Sequence, residues 1–392
     1  MTSNATSPIS RSFLVRCGLR SDLINSTALV VCVAAATPGL GMAAHAATYM
    51  EFGSPGTYET DVAGIDNNGA FVRYYDTATY TEFSVHSHGT YPTGINIDGD
   101  IVGNTQSGPG CSGCATFFCG FKRAADGTVT TFNAPTGPTN QIHANSINKR
   151  GTIAGVYWEP SGQQRGYVRA PSGTITTFDP KGSIQTEAYG INDSGMIAGY
   201  YEDSGNVFHG FVRAADRKIT TFDPPGSIQT EAYGINNGGV IVGSYVDSSH
   251  MLHGYVRAAN GTFTTFDPSG SEGTYAVGIN DNGAIVGSYQ DSSNISFGFV
   301  RTADGTITVF EPRDSDGTTA ESINDRGQIV GYYNYGNEVR SFERLTDGKI
   351  KTFVVSGALE TTAVSINSKG EIAGGYCIGC GTGGMQGFLR IP

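Results

Sequence analysis

The chain alternates between apolar and polar residues over short runs, and Gly, Asn, Asp or Pro interrupts these runs every few positions. Such alternation is typical of β-strands that are buried on one face. The stretch between Glu187 and Asp223 illustrates the pattern. Its four runs are Ala188–Asn192, Met196–Tyr201, His209–Ala214 and Ile219–Phe222. Asn192-Asp193-Ser194-Gly195 places turn-forming residues between the first two runs, so we predict four short antiparallel strands here.

This stretch belongs to an internal repeat with the consensus Gly-Ile-Asn-x-x-Gly-x-Ile-Val/Ala-Gly and a period of about 44 residues. Copies begin at Gly64 (a degenerate copy), Gly94, Ser146, Gly190, Gly234, Gly278, Ser322 and Ser365. Four antiparallel strands in each repeat of this length are typical of one blade of a β-propeller. We therefore predict an all-β fold, a single β-propeller of about eight four-stranded blades. Seven blades is the alternative, if the short first unit merges with a neighbour.

The two ends of the repeat array predict how the ring closes. Thr48–Pro55 resembles the fourth strand of a unit and the turn that follows it, whereas the last unit stops after its third strand, Gly387–Arg390. An N-terminal strand that completes the C-terminal blade would remove two open sheet edges. We therefore predict closure of this kind.

The N-terminal residues have the pattern of a secretory signal peptide. Arg11, Arg16 and Arg20 precede an apolar run, Ala28–Ala36, and Ala44-His45-Ala46 resembles a cleavage site. The run is too short to span a bilayer, and no later segment is predicted to be transmembrane. We expect residues 1–46 to be removed and residues 47–392 to form the exported protein, either secreted or periplasmic.

Composition narrows the function classes. The formal net charge is −11, which argues against an electrostatic nucleic-acid binder. Hydrophobic residues make up 38% of the chain, which argues against disorder. We expect a monomer without nucleic-acid partners and without a cofactor.

Two third-strand motifs resemble a known family. His209-Gly210-Phe211 and His253-Gly254-Tyr255, each followed by Val-Arg-Ala, are similar to the HAF family of extracellular repeats, over about residues 48–391. The resemblance implies a β-repeat fold and an extracytoplasmic location. It implies no established activity, so no catalytic residue is transferred.

Repetition separates structural residues from candidate functional ones. A residue present in most units is explained by the blade, as for the phenylalanines Phe222, Phe266, Phe310 and Phe353, which we predict to pack between blades. The loops after the second and fourth strands vary and share one face, where binding is expected.

The position three residues before each Gly-Ile-Asn start is predicted to lie at the mouth of this variable face. The candidate ligand-binding residues there are Asp61, Tyr91, His143, Glu187, Glu231 and Tyr275. His143, Glu187 and Glu231 come from successive blades and are placed to converge on a cation or polar ligand, the alternative being a solvated polar rim. Trp158 is predicted on the same face, either to stack on a sugar or to pack a loop.

The cysteines form two Cys-x-x-Cys pairs after second strands. These candidate disulfide residues are Cys111, Cys114, Cys377 and Cys380. Disulfides are favoured in an exported protein, and a zinc site with four thiolate ligands is the alternative. Cys119 is left over, either paired or free. Otherwise no metal or catalytic motif is recognised.

Two functions remain open. We favour a non-enzymatic binding or surface-interaction protein with an extracellular carbohydrate or protein ligand, because no concentrated catalytic set stands out. The alternative is a propeller enzyme, a lyase or hydrolase acting on an extracellular polysaccharide, for which His143, Glu187 and Glu231 are the candidate residues.

Overall fold

The structure, a computed structural model, describes residues 78–85, 89–106, 118–135, 141–380 and 384–392, together with the backbone of four short strands nearer the N-terminus. Those strands are β1 (Ala28–Leu29), β2 (Phe52–Gly53), β3 (Val62–Ile65) and β4 (Phe71–Arg73). They form the antiparallel pairs β1–β2 and β3–β4 within a first compact unit, Met1–Asp76. The predicted signal peptide, apart from β1, and Asp61 lie outside the described residues.

The second compact unit, Thr77–Pro392, contains seven four-stranded antiparallel blades. Blade 1 contains β6 (Gly89–Ile95), β7 (Ile101–Gln106), β8 (Phe118–Arg123) and β9 (Val129–Phe132). Blade 2 contains β10 (Ile142–Ile147), β11 (Ile153–Trp158), β12 (Gln164–Arg169) and β13 (Ile175–Phe178). Blade 3 contains β14 (Ser183–Ile191), β15 (Ile197–Asp203), β16 (Phe208–Arg213) and β17 (Ile219–Phe222). Blade 4 contains β18 (Ser227–Ile235), β19 (Ile241–Asp247), β20 (Leu252–Arg257) and β21 (Phe263–Phe266).

The remaining three blades follow the same order. Blade 5 contains β22 (Gly273–Ile279), β23 (Ile285–Gln290), β24 (Ser296–Arg301) and β25 (Ile307–Phe310). Blade 6 contains β26 (Gly317–Ile323), β27 (Ile329–Tyr335), β28 (Glu338–Arg344) and β29 (Ile350–Phe353). Blade 7 contains β30 (Glu360–Ile366), β31 (Ile372–Cys377), β32 (Gln386–Ile391) and β5 (Thr79–Phe83). The predicted all-β class and the four-stranded blade are confirmed.

Blade 7 combines strands from two distant parts of the chain. β5 pairs antiparallel with β32, with Phe83 opposite Gly387 and Tyr80 opposite Arg390. The Tyr376 hydroxyl donates to Glu82 Oε2 at 2.9 Å, which fixes this strand further. An N-terminal segment therefore supplies the missing strand, but the segment is Thr79–Phe83 and not the predicted Thr48–Pro55, most of which lies outside the described residues.

The blade count corrects the preference for eight. The degenerate unit that begins at Gly64 does not form a blade of the second unit, because its strands β3 and β4 pair with each other in the first unit. Seven blades, the alternative number, are present among the described residues.

The turn after the first strand explains the repeated Asn and Gly. In blade 3 the Asn192 side-chain oxygen accepts hydrogen bonds from the backbone N–H groups of Ser194 (3.1 Å) and Met196 (2.9 Å). Gly195 adopts φ 86°, a left-handed conformation that favours glycine. The Asn amide group also reaches the next blade, since Asn192 Nδ2 donates to the Asn236 carbonyl at 3.0 Å.

This inter-blade hydrogen bond recurs in every blade. The donors, each bonded to the backbone carbonyl of the next, are Asn96, Asn148, Asn192, Asn236, Asn280, Asn324 and Asn367, and Asn367 donates back to the Asn96 carbonyl. The seven bonds form a closed cycle, which we call the asparagine cycle. All seven residues are buried.

Aromatic packing fills the space between blades, as predicted for the repeated phenylalanines. Phe266 of blade 4 contacts Phe299 of blade 5, with ring centroids 5.8 Å apart. Phe310 of blade 5 contacts Phe342 of blade 6 at the same distance. The third-strand arginine of each blade lies over the outer phenylalanine of the blade before it. Arg257, for example, lies 4.7 Å from the Phe222 centroid, and Arg123 lies 5.2 Å from Phe83, which joins blade 1 to blade 7.

Candidate ligand site in the axial channel

The first strand of each blade is its inner strand, because the first strands of successive blades contact one another. Side chains alternate along these strands. In β14, Thr186 and Ala188 are fully buried between blades, whereas Glu187 and Tyr189 face the space enclosed by the inner strands. We call this space the axial channel.

The channel-facing positions form two rings. The loop-side ring contains Tyr91, His143, Glu187, Glu231, Tyr275, Thr319 and Thr362. The second ring, called the bulge ring, contains Thr93, Asn145, Tyr189, Tyr233, Val277, Glu321 and Val364. Both rings lie within the inner strands. Glu187, for example, pairs with Tyr200 at the middle of β14 and so lines the channel within the strand, whereas His143 is the second residue of β10 and lies closer to the predicted mouth.

Every bulge-ring residue is the extra residue of a β-bulge. In blade 3, Ala188 pairs with Gly199 and Gly190 pairs with Ala198, which leaves Tyr189 without a partner residue. The same register shift occurs in the other six blades. A bulge redirects the side chain that it carries, and bulges are frequent beside functional sites. The repeated Gly199 belongs to this arrangement, because a Cβ atom there would collide with the Glu187 carbonyl oxygen.

Carboxylates and tyrosines are concentrated on one part of the channel wall. We call these residues the channel cluster: Glu187, Tyr189, Tyr200, Glu231, Tyr233, Glu321 and Tyr332. The rings of Tyr189 and Tyr200 stack with centroids 5.7 Å apart, and the Tyr233 ring meets Tyr189 edge-on at 5.3 Å. The Tyr233 hydroxyl donates to the Glu231 carboxylate.

Burial raises the pKa of two carboxyl groups in the channel cluster. The pKa of Glu187 is raised to about 7 by burial. The pKa of Glu321 is also raised to about 7 by burial, although its hydrogen bond with Tyr332 opposes the shift. Burial, followed by the charge of Glu187, raises the pKa of Tyr189, and Glu231 and Glu321 add smaller contributions. The charges of all three carboxylates therefore act on the Tyr189 hydroxyl of blade 3, including that of Glu321, which belongs to the more distant blade 6.

Solvent reaches this part of the channel. Tyr189 retains 36% of its surface exposed and Tyr275 retains 41%, although both are on inner strands. Inner strands have a neighbouring blade on each side, so exposure of these large side chains indicates that the channel between the strands is open to solvent.

A second group, an aromatic one, surrounds His143. The His143 ring lies 4.8 Å from Trp158 and 5.3 Å from Phe118, both edge-on, and Phe118 contacts Tyr91 at 5.8 Å. Burial lowers the pKa of His143 to about 4, so the imidazole is neutral at pH 7. Its Nε2 atom is buried and has no hydrogen-bond partner among the described residues.

The opposite end of the channel is the turn face, where the Ile-Asn pairs of all seven blades line a cavity of about 420 Å³. Its polar groups are bonded to one another. Asp193 pairs with Lys149 at 3.1 Å, and Asn237 donates to Asp193 and to Asp281 at 3.0 and 2.8 Å. Because these groups already satisfy one another, we place the candidate site at the channel cluster and not at this turn-face cavity.

The cysteine predictions have three outcomes. Cys377 and Cys380 form a disulfide with Cα atoms 5.5 Å apart, as predicted. Cys119 is also disulfide-bonded, so it is not a free thiol. Cys111 and Cys114 lie outside the described residues.

The structure groups the predicted ligand residues in two sets. Glu187 and Glu231 belong to the channel cluster, whereas His143, Trp158 and Tyr91 form the aromatic group. Tyr275 lies on the same ring in blade 5. Trp158 packs against His143 of the neighbouring strand, and its predicted role, in stacking on a sugar or in packing a loop, stays a prediction.

Sequence reasoning missed the bulge ring and its partners on the second strands. Tyr189, Tyr233 and Glu321 were overlooked because the residue before Gly-Ile-Asn was treated as part of the strand pattern. Variation between units was the signal that could have found them, since this position carries five residue types in seven blades. Tyr200 shows the same variation, since Ser244 occupies its position in blade 4.

Several solved structures have folds similar to that of this chain. The β-propeller domain of the Trilobed protease from Pyrococcus furiosus aligns with a TM-score of 0.56 and 10% identity, over 77% of this chain and 95% of that chain. The chain folds as a β-propeller. Virginiamycin B lyase from Staphylococcus aureus, a catalytically inactive variant solved with quinupristin, aligns with a TM-score of 0.53 and 13% identity, over 80% of this chain and 100% of that chain.

Puromycin hydrolase aligns with a TM-score of 0.51 and 14% identity, over 74% of this chain and 50% of that chain. Identities this low establish the propeller fold alone. No family model matches the chain, and no curated protein matches it. Within the described ranges, none of the elements is a helix suited to crossing a membrane.

Proposed function

We propose that this propeller is an exported, non-enzymatic binding protein that admits a small polar ligand into the axial channel from its loop face. The supporting observation is where the blades differ. The asparagine cycle and the inter-blade aromatic contacts repeat around the ring, whereas the two channel-facing rings do not. Residues that every blade shares are explained by the blade itself, so the exceptions are the better candidates for function.

The chemistry of the exceptions suits ligand binding. Blades 3, 4 and 6 contribute carboxylates and tyrosines, whereas blade 7 presents Thr362 and Val364 at the same two positions. A concave site with aromatic side chains and a few polar groups is the usual form of a small-molecule site. Export is supported by the predicted signal peptide and by the resemblance to the HAF family.

A thermal-shift screen with a channel-blocking variant tests the proposal. The panel contains monosaccharides, oligosaccharides, amino sugars, amines and cell-wall fragments. A ligand at 100 times its Kd should stabilise the folded protein by about 2.7 kcal/mol. Val277→Trp fills the channel, so the shift should disappear in that variant.

Val309→Trp is the matched control, since Val309 lies on an outer strand and is 43% exposed. This variant should keep the shift. A ligand that binds both variants equally well would place the site outside the channel and would contradict the proposal.

A second candidate function, a lyase or hydrolase acting on an extracellular polysaccharide, is favoured by one observation. Glu187 and Glu321 have pKa values raised to about 7, which suits general acid–base catalysis at neutral pH. The three structural neighbours reported above carry the names of enzymes, a lyase, a protease and a hydrolase, but a shared fold does not select a reaction. Turnover of any polysaccharide, measured by release of reducing ends or of unsaturated products and lost in Glu187→Gln, would favour this candidate.

A further inference from the structure

Within the part of the chain that the structure describes, no basic side chain neutralises the carboxylates of the channel cluster. Elsewhere the chain pairs acids with bases, as in Lys122–Asp100 at 2.7 Å and Lys149–Asp193 at 3.1 Å. Among the described residues, none of the carboxylates Glu187, Glu231 and Glu321 forms an ion pair with a lysine or arginine. A site that gathers three acids without a base has a deficit of positive charge.

Hydrogen bonding compensates only part of this deficit. Tyr233 donates to Glu231, and Tyr332 bonds to Glu321. No described residue donates a hydrogen bond of this kind to Glu187, and burial is the cause of its raised pKa. An uncompensated carboxylate in a poorly solvated position is unfavourable, and a bound cation would relieve the penalty.

Aromatic rings lie among these carboxylates. The ring centroids of Tyr189, Tyr200 and Tyr233 are 5.3 to 6.4 Å from one another. The faces of phenol rings attract ammonium groups through the ring quadrupole when the cation lies within about 6 Å. Carboxylates alone would favour any cation, but carboxylates combined with tyrosines favour a cation that has apolar surface.

The spacing of the acids argues for a large cation over a metal ion. Among the described residues, three metal-ligating atoms within 4.8 Å of one another occur only at Glu360, Cys377 and Cys380. The channel carboxylates therefore do not form a compact coordination sphere of the kind that calcium requires. An organic cation can contact groups that are farther apart.

We infer that the channel cluster binds an organic ammonium ion, with the charged nitrogen between Glu187, Glu231 and Glu321 and its carbon substituents against Tyr189, Tyr200 and Tyr233. The inference rests on the proposed binding function and specifies its ligand class. The neutral His143 imidazole, whose Nε2 is unbonded, lies on the same ring in blade 2 and provides a polar partner for a second group of the ligand.

Calorimetric titration of the full chain at pH 8 tests the inference with matched probes. Choline carries a quaternary ammonium, and 3,3-dimethylbutan-1-ol is its neutral carbon isostere. Putrescine tests a primary amine, which separates the two sources of the ammonium group. Choline or putrescine should bind, and the neutral isostere of choline should bind at least about tenfold more weakly than choline, since it lacks the cation–π contacts and the Coulomb attraction to the carboxylates.

Variants locate the site. Glu187→Gln and Glu321→Gln are isosteric, and each should weaken binding of the cation by about tenfold, equivalent to ~1.4 kcal/mol. Glu311→Gln removes the same charge from an exposed position and should change affinity by less than twofold. A single cooperative thermal transition in each variant, at or above the wild-type melting temperature, shows that the fold persists.

The outcomes separate this inference from the proposal on which it rests. Equal binding of choline and its isostere, or no binding of either cation at millimolar concentration, would overturn the ammonium inference. If a neutral sugar then binds wild type and not Val277→Trp, channel binding stands with another ligand class. If no compound of either panel binds, both are rejected.

Discussion

At the turn-face end of the inner strand, all seven blades carry the same residue, the asparagine of the asparagine cycle. The channel-facing positions three and five residues earlier carry six different residue types. The asparagines form a closed cycle of buried hydrogen bonds, and none of them is replaced. The channel positions hold threonine or valine in one blade and tyrosine or glutamate in another. Both regions are on the same strands, so the difference does not arise from the scaffold.

The comparison indicates two different constraints on one repeat. At the turn face each asparagine must satisfy its own turn and the next blade, and a substitution would leave buried backbone groups without partners. In the channel only the small residues on the opposite face of the strand, such as Ala188, are constrained by packing. The identity of the channel-facing side chains can therefore differ between blades without disturbing the packing of the blades.

Loss of one asparagine should have the largest effect on stability. Asn280 donates to the Asn324 carbonyl at 3.0 Å and accepts from the Ala284 N–H at 2.9 Å. Asn280→Ala should lower the free energy of unfolding by about 2–4 kcal/mol, since each buried partner left unsatisfied costs about 1–3 kcal/mol. Denaturant unfolding monitored by circular dichroism measures the change.

Asn282→Ala is the matched control, because Asn282 is exposed and makes one hydrogen bond, to the Asp325 carbonyl at 2.8 Å. Its effect should be below about 1 kcal/mol. Equal effects of the two variants would contradict a special role of the asparagine cycle.

Removing a channel carboxylate should raise the free energy of unfolding, and by less than loss of an asparagine lowers it. Because the pKa of Glu187 is raised to about 7 in the folded protein, the folded state binds more protons than the unfolded state between pH 4.5 and 7. The stability of the wild type therefore falls as pH rises through this range. The charge of Glu187 acts on Tyr189 and Tyr200, on which Glu231 acts as well, and none of these groups supplies a positive charge.

Glu187→Gln should raise the free energy of unfolding by roughly 1–2 kcal/mol at pH 8, after allowance for solvent in the channel, and should have little effect near pH 4.5. Unfolding curves at several pH values measure this difference. Glu311→Gln, at an exposed site, should show no such pH dependence. A destabilised Glu187→Gln protein at pH 8 would mean that the carboxylate is compensated after all.

The smallest effect is expected at a variable position outside the channel. His253 on β20 bonds to Asp267 at 2.6 Å and lies 3.4 Å from Asp247, whereas Phe297 occupies the same position in blade 5. Burial lowers the pKa of His253, but the hydrogen bond and charge of Asp267 outweigh it, so the pKa is raised.

The resulting stabilisation is fully present below pH 6.5 and is lost as pH rises through the folded-state pKa. His253→Phe should therefore lower stability by less than about 1 kcal/mol at pH 6 and by nothing at pH 9. Thermal unfolding at the two pH values distinguishes this from packing loss, which would be equal at both.

The local features were predictable because each depends on a few neighbouring residues. The strand–turn pattern follows from alternation and from the Asn-x-x-Gly turn, and the position of Phe222, Phe266, Phe310 and Phe353 between blades follows from their repetition. Five of the residues on the loop-side ring, Tyr91, His143, Glu187, Glu231 and Tyr275, were candidates in the sequence because this position varies between units. Their convergence on one ligand remains a prediction.

The choice of closing strand was not predictable from local pattern. Thr48-Tyr49-Met50-Glu51-Phe52 and Thr79-Tyr80-Thr81-Glu82-Phe83 are nearly the same segment, and either matches the edge of β32. Only the structure shows that the second one pairs there, which leaves the unit at Gly64 outside the ring and gives seven blades.

By itself the sequence determined the all-β class, the four-stranded blade, the turn chemistry and the variable position three residues before each Gly-Ile-Asn start, because these depend on alternation and repetition within about 44 residues. Tertiary structure decided the number of blades, the strand that completes blade 7 and the membership of the channel cluster. These depend on contacts between residues far apart in the chain and on β-bulges that turn Tyr189, Tyr233 and Glu321 towards the axis. Strand alternation alone does not place a bulge, since the extra residue appears only when two strands are paired.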